Sequence, residues 1–157
     1  MIKTGIGYDV HQLAKGEKLV LGGVEIPSEV GLVGHSDGDA LIHSVIDALL
    51  GAASMGDIGQ LFSSEDKQWK DADSFHFLSL IREKMRLAKC EINNIDSVII
   101  LQKPTLTRFI PKMKYKISDT LKLDESQISV KATTADYLGF IGEGKGIAVQ
   151  TVATINV

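Results

Sequence analysis

The stretch at residues 5–13 reads GIGYDVHQL. Apolar and small residues run through it without a helical repeat, so residues 2–10 are expected to form a strand. Side chains two apart on a strand point to the same face. Asp9 and His11 therefore project together, and a carboxylate and an imidazole on one face raise the question of what they share. Outward from this strand, KLVLGGVEIP at 18–27 reads as two short β runs around Gly22 and Gly23, and 27–34 reads as loop. Residues 40–55 are apolar on almost every side, which predicts a helix buried by its neighbours. A loop is expected at 56–71. A second helix follows, capped by Asp73 and Ser74, with Phe77, Leu78, Ile81, Met85 and Ala88 on one face. DSVIILQ at 96–102 is a continuous apolar run and predicts a central strand. Ile110, Met113, Ile117 and Leu121 mark a third helix over 107–121. Residues 126–134 alternate as a strand, with Ile128, Val130 and Ala132 to one side. Four glycines in GFIGEGKG at 139–146 require a sharp turn, and 146–155 is the last strand. The expected class is α+β: a two-layer sandwich with one mixed β-sheet and helices packed on one face.

A chain of 157 residues suits a single domain, residues 1–157, with a sizeable core. Hydrophobic residues at 44% and charged residues at 24% fit a soluble globular protein. A net charge of −3 argues against nucleic acid as a partner. The single cysteine, Cys90, excludes an intrachain disulfide and fits a reducing, cytoplasmic setting. No signal-peptide pattern opens the chain, and the apolar stretch at 40–55 is too short and too polar to span a bilayer, so no membrane partner is expected.

Carboxylates and imidazoles are good ligands for Zn²⁺, and a catalytic zinc takes three protein ligands with one position open. Of the four histidines, His43 is the best third ligand, because an unpaired imidazole within an apolar helix is costly. Asp39, His43 and Asp47 form one stripe at i, i+4 and i+8, and Asp47 is placed to orient the second nitrogen of His43. His76, between two phenylalanines, reads as structural or surface. Each residue alone also has an ordinary explanation: His11 as a loop residue after a strand, His43 as a hydrogen-bonded core histidine.

HSDGD, residues 35–39, opens the buried helix, where free N–H groups and partial positive charge suit an anion. Ser36 or Asp37 is equally suited to be an N-cap there. GDIGQLF and FSSED, within 56–66, read as an acidic, glycine-containing loop. KATTAD, residues 131–136, ends a strand with a cation, two hydroxyls and a carboxylate, a set able to hold a phosphate and Mg²⁺.

Taken in order, DVH, GHSDGD with a histidine four residues later, DALLGAA, GDIG and KATT resemble the 2-C-methyl-D-erythritol 2,4-cyclodiphosphate synthases, the small cyclases of the non-mevalonate isoprenoid pathway. The resemblance runs from Ile6 to the end. It implies a phosphorus–oxygen lyase whose substrate is a cytidine diphosphate ester of methylerythritol 2-phosphate, and whose products are a cyclic diphosphate and CMP. It implies one Zn²⁺, or another divalent transition metal, per subunit on Asp9, His11 and His43. Mg²⁺ or Mn²⁺ would travel with the substrate diphosphate. His35, Thr134 and Asp136 would be catalytic. His35 and Ser36 would meet the methylerythritol phosphate, covered by Asp57, Ile58, Gly59, Phe62, Ser63, Ser64, Glu65 and Asp66. Leu101, Lys103, Pro104, Thr105, Leu106 and Thr107 resemble the cytidine-binding segment. Ala132, Thr133, Thr134, Ala135, Asp136 and Phe140 would border the diphosphate, and Asp9 and His11 would meet substrate at the metal's open position. A homotrimer with active sites between subunits is implied.

Three positions depart from the family's usual pattern. Asp136 stands where glutamate is usual, Thr105 follows the proline where many relatives have lysine, and GEGKG at 142–146 replaces a G-R-G-E-G run. Glu143 reverses the charge of an arginine near the threefold axis, so weak binding of isoprenoid diphosphates is expected. Two rivals remain on the residues alone: a non-catalytic metal- or nucleotide-binding module, and a zinc hydrolase using His35 or Asp57 as base.

Overall fold

A computed structural model of the chain describes residues 1–34, 37–63, 65–69 and 72–157. His35, Ser36 and Ser64, which the sequence places in the site, lie outside the described residues. The elements are β1 (Ile2–Lys15), β2 (Leu19–Leu21), β3 (Val24–Ile26), β4 (Val30–Val33), α1 (Ala40–Ala53), α2 (Ile58–Leu61), α3 (Ser74–Leu87), β5 (Glu91–Ile100), α4 (Ile110–Leu121), β6 (Ile128–Thr133), α5 (Gly139–Gly142) and β7 (Gly146–Asn156). Five strands form one mixed sheet in the order β4-β1-β7-β5-β6. Only the β5–β6 pair is parallel. The short hairpin β2–β3 stands apart. The architecture is α+β, as the patterning predicted.

The differences have local causes. β1 runs to Lys15, beyond the expected end at Val10, because Gln12–Lys15 gain a partner in β4. Residues 27–34 are therefore not all loop. β4 carries a glycine and too few residues to show alternation, so its periodicity was silent. That glycine, Gly31, passes so close under Glu17 and Lys18 that a Cβ would lie 2.2 Å from their backbone. The expected loop at 56–71 contains α2 and a 3-10 turn at Lys67–Trp69. The third helix starts at Ile110, after a 3-10 turn at Thr107–Phe109, with Pro111 in its first turn, where a missing N–H costs nothing. Ser126 and Gln127 belong to a turn capped by Asp124, so β6 begins at Ile128, and Ala132 near its end is exposed.

α1 lies across β1 and β7, with α3 packed against it on the far side. Leu41, Ile42, Val45, Ile46, Leu49 and Leu50 are all wholly buried. Each such side chain contributes roughly 1.5–3 kcal/mol by leaving water. The approach to β1 is unusually close. A Cβ on Gly5 would lie 2.0 Å from the Ala48 carbonyl oxygen, and one on Gly7 would lie 1.9 Å from that of Ser44. Gly5, Gly7, Asp9 and His11 share one face by the two-residue period of the strand. Two missing side chains thus let α1 settle on the sheet just where two polar ones follow. Asp39 caps α1 by accepting from Ile42 N, in place of Ser36 or Asp37. Its carboxylate also accepts from Gly22 N at 2.9 Å and Gly23 N at 2.8 Å, tying the hairpin turn to the helix.

Candidate metal centre and nucleotide cavity

The close packing of α1 on β1 brings His43 over the pair from the strand. Asp9 Oδ2 lies 3.0 Å from His11 Nδ1 and 3.3 Å from His43 Nδ1. One ligand atom from each of the three residues falls within 4.8 Å of the others. Ligand atoms about 2.0–2.1 Å from a tetrahedral ion lie roughly 3.3 Å apart, so the spacing fits a metal. A second observation agrees. Asp9 Oδ2 and His11 Nδ1 are buried with no hydrogen-bond partner among the described residues, and orphaned buried polar atoms call for an explanation. Burial pushes the Asp9 carboxyl up, but the contacts with His11 and His43 outweigh it and hold it below its ordinary value. For His43, burial pulls the imidazole down, and Asp9, with the fields of Asp39 and Asp37, more than reverses this. The cluster can hold a divalent cation.

Asp47 does not orient His43. One turn further along α1, its Oδ1 accepts from Ile58 N at 2.8 Å and anchors the start of α2. The second nitrogen of His43, Nε2, instead meets Ser74 Oγ at 2.9 Å. Ser74, the first residue of α3, also bonds Asp37 through both its hydroxyl and its N–H, the latter at 2.9 Å. Sequence reasoning gave Ser74 only a capping role. A buried serine opening a helix carries no signal of the histidine it will meet across the fold.

Asp57 caps α2, accepting from Gln60 N at 2.9 Å. Ile58 and Gly59 form the first turn of α2. Phe62 stacks on Phe77 with centroids 4.4 Å apart and meets Trp69 edge-on at 5.1 Å, so it is anchored in an aromatic cluster. Ser63 Oγ accepts from Glu65 N at 3.2 Å, and Asp66 accepts from Gln68 N at 3.0 Å. His76 is exposed on α3.

The expected nucleotide and diphosphate segments do meet. Leu101, Pro104, Thr105, Leu106 and Thr107 line a cavity of about 110 Å³ together with Ala132, Thr133 and Thr134. Gln102 joins them, and Lys103 is exposed and outside the lining. Gln102 Oε1 accepts from Tyr137 N at 3.1 Å, which pins the segment after β6 beside the cavity. There Asp136 N donates to Thr134 Oγ1 at 3.3 Å, and Asp136 is exposed with φ +53°. Leu138 N donates to Ala135 O, and Phe140 packs on Gly146. Lys131 does not join this group. It pairs with Asp96 at 2.6 Å. Across the ladder Val10 faces Ala148, Ala148 faces Ile100, and Ile100 faces Thr133. The metal cluster and the cavity thus stand at the same end of the sheet, three strand spacings or about 14 Å apart.

A mixed sheet covered on one face by helices, with an Asp-His-His cluster at one end and a threonine-lined cavity beside it, defines a two-layer α+β protein with a candidate metal centre. Residues 2–156 match the YgbB family, and the chain belongs to it. It is 48% identical over 155 residues to a 2-C-methyl-D-erythritol 2,4-cyclodiphosphate synthase of Lachnospira eligens, covering 99% of this chain and 85% of that one. It is 49% identical to the protein of the same name from Halalkalibacterium halodurans, covering 97% of each. Among solved structures it resembles IspF of Plasmodium falciparum in complex with CDP, at 37% identity and a TM-score of 0.86 over 98% of this chain and 95% of that one.

Proposed function

We infer that the chain converts 4-diphosphocytidyl-2-C-methyl-D-erythritol 2-phosphate to 2-C-methyl-D-erythritol 2,4-cyclodiphosphate and CMP, as a phosphorus–oxygen lyase of the non-mevalonate pathway. The observation that carries this is the pairing, at one end of the sheet, of the Asp9–His11–His43 cluster with the cavity of Leu101, Pro104 and Thr133. An oxygen of the 2-phosphate attacks the β-phosphorus. The bond from that phosphorus to the bridging oxygen breaks, and CMP leaves with the electron pair. The attacking group is already an anion, so the protein needs no nucleophile of its own. Its work is to fold the substrate, and orientation supplies roughly 7–11 kcal/mol in well-aligned intramolecular reactions.

Asp9, His11 and His43 would hold Zn²⁺ or another divalent transition metal, which as a Lewis acid stabilises charge on phosphoryl oxygens. The cavity takes the cytidine end. The Thr133 and Thr134 hydroxyls and the N–H groups around them receive the diphosphate. Exposed Asp136 is free to meet the Mg²⁺ or Mn²⁺ that accompanies the substrate, and its short side chain suits contact through water. His35 and Ser36 bind the methylerythritol phosphate.

The working unit is a homotrimer with shared sites. The sheet face away from the helices supports this: Ile6, Tyr8 and Val10 are 64%, 57% and 43% exposed, with Val152 beside them, and such a patch marks an interaction surface. The separation of metal cluster and cavity supports it too, because one substrate can be served by the cluster of one subunit and the cavity of another. Isoprenoid diphosphates bind this chain poorly, since Lys145 is engaged by Glu143 at 2.5 Å. Micromolar binding of farnesyl diphosphate in calorimetry would refute that. Among the described residues no helix is long and apolar enough to cross a membrane, and we assign the protein to the cytoplasm.

The test is CMP release with Mg²⁺, before and after zinc is stripped and restored. Release that falls and returns supports both reaction and metal. Hydrolysed diphosphate in place of the cyclic product would favour a zinc hydrolase, and no release under any metal condition a binding module.

A further inference from the structure

We propose that Ser74 and Asp37 are positioning residues that fix the tautomer of His43, so that its Nδ1 lone pair, not an N–H, faces Asp9. The reading rests on the assignment of His43 as a metal ligand. The argument is a count of protons. Ser74 Oγ touches two groups, Asp37 Oδ1 and His43 Nε2 at 2.9 Å, and has one proton to give. A carboxylate can only accept. The serine proton therefore goes to Asp37, and the serine oxygen is left to accept from His43. The proton on the neutral ring must then sit on Nε2, because a neutral imidazole carries only one. Nδ1 is left bare, 3.3 Å from a carboxylate oxygen that is itself without a hydrogen-bond partner. Two lone pairs facing each other repel unless a cation lies between them, and that is the condition a metal site needs.

The relay is held from outside the site. Ser74 is wholly buried and opens α3, with Asp73 as the N-cap. Asp37 accepts from the Ser74 N–H as well as from its hydroxyl, and a carboxylate at a helix N-terminus is favoured by the helix dipole. The position of α3 thus sets the ring orientation of a ligand on α1. Groups of this kind around metal-binding histidines change metal affinity by about 10- to 100-fold.

The test uses the metal-stripped full chain and titrates Zn²⁺ against a chromophoric chelator. Ser74→Ala and Asp37→Asn are expected to weaken zinc 10- to 100-fold, with Ser74→Thr, which keeps the hydroxyl, recovering most of the loss. Nitrogen-15 shifts of His43 in the metal-free wild type, read at a pH high enough for its imidazole to be neutral, are expected to show a protonated Nε2 and a bare Nδ1, and Ser74→Ala to mix the two tautomers. A purely structural role for the serine would leave the tautomer unchanged. His43→Ala separates the failures. If His43→Ala binds zinc like the wild type, the metal assignment itself falls. If His43→Ala loses zinc while both relay variants stay within twofold of the wild type, only the relay is overturned. Should Ser74→Ala not fold, Asp37→Asn and the wild-type shifts decide, and a protonated Nδ1 on the neutral ring of the wild type overturns the proposal.

Discussion

Gly7→Ala tests the link between the packing of α1 and the metal centre. The added Cβ would fall 1.9 Å from the Ser44 carbonyl oxygen and 2.8 Å from the Ala48 backbone nitrogen. Both neighbours are helix backbone, so no flexible side chain can give way. Restoring an ordinary 3.4 Å contact moves α1 away from β1 by about 1.5 Å. His43 precedes Ser44 on that helix, so it is carried off from Asp9, from which Nδ1 now stands 3.3 Å. Overpacking of this kind costs about 1–3 kcal/mol, which leaves a typical domain largely folded. A misplacement of 1 Å can cost about a hundredfold in rate. The expected result is a folded protein with zinc affinity down at least tenfold and CMP release down by about a hundredfold. Gly51→Ala is the control. It lies on the same helix, but its nearest neighbour would be 3.8 Å away, and removing a helical glycine should stabilise by about 0.5–1 kcal/mol. Urea melts and chelator titrations on both variants decide. Wild-type zinc affinity in Gly7→Ala would refute the claim that this contact places the third ligand.

His43→Ala is expected to lose bound zinc and turnover together, read by metal analysis and CMP release, and full zinc occupancy would refute the ligand assignment. Thr151→Val removes the centre of a buried hydroxyl chain, in which Thr151 Oγ1 lies 2.7 Å from Ser44 and 2.8 Å from Ser97. Because the Ser44 proton goes to Leu41 O, the variant strands the Ser97 hydroxyl at a cost of about 1–3 kcal/mol, worth roughly 2–4 °C in Tm per kcal/mol. An unchanged melting curve would count against the chain. Wholly buried Asp39 is pushed up to about 6 by burial, against the opposing N–H groups of Gly23, Gly22 and Ile42 and with Asp37 adding to the rise. Its folded value lies above the ordinary 3.8, so the folded state holds an extra proton between those two pH values. The contribution is complete below about pH 4 and is lost as pH rises through 6, on the order of 3 kcal/mol. Asp39→Asn cannot show this, so the stability of the wild type relative to the variant should fall between pH 4 and 7 in urea melts, and parallel pH profiles would refute it.

The strand carrying Asp9 and His11, the hairpin around Gly22 and Gly23 and the buried helix with His43 were all legible in the sequence, because each carries a strong local period or turn signal. β4 was not, since four residues that include a glycine show no period. The candidate metal cluster was legible through chemistry: two polar side chains share a strand face, and one histidine sits in an apolar helix. Their supporters were not. Asp47 has the right helical spacing to His43, yet tertiary packing turned it to α2, and the contact to the His43 Nε2 came from Ser74, 31 residues further along the chain. The glycines of GIGYDVH did hold a readable clue. Their alternation with Ile6 and Tyr8 marks the face where a helix must come close, and that same face ends in Asp9 and His11.

β1 serves two surfaces at once. One face carries Gly5, Gly7, Asp9 and His11 against α1, and the other carries Ile6, Tyr8 and Val10 to the outside. A slip of one residue along its ladder with β7 would exchange these sets, turning Asp9 and His11 outward and pressing isoleucine and tyrosine into a gap cut for glycine. Only the native register then brings Asp9 and His11 under His43, because the helix that carries His43 cannot seat over a bulkier strand. A cation bound to the native state alone stabilises it by about 4 kcal/mol at a thousand times its dissociation constant. Metal capture at this cluster would therefore proofread the pairing of the strand, and refolding with and without zinc should then differ in the yield of correctly registered chains.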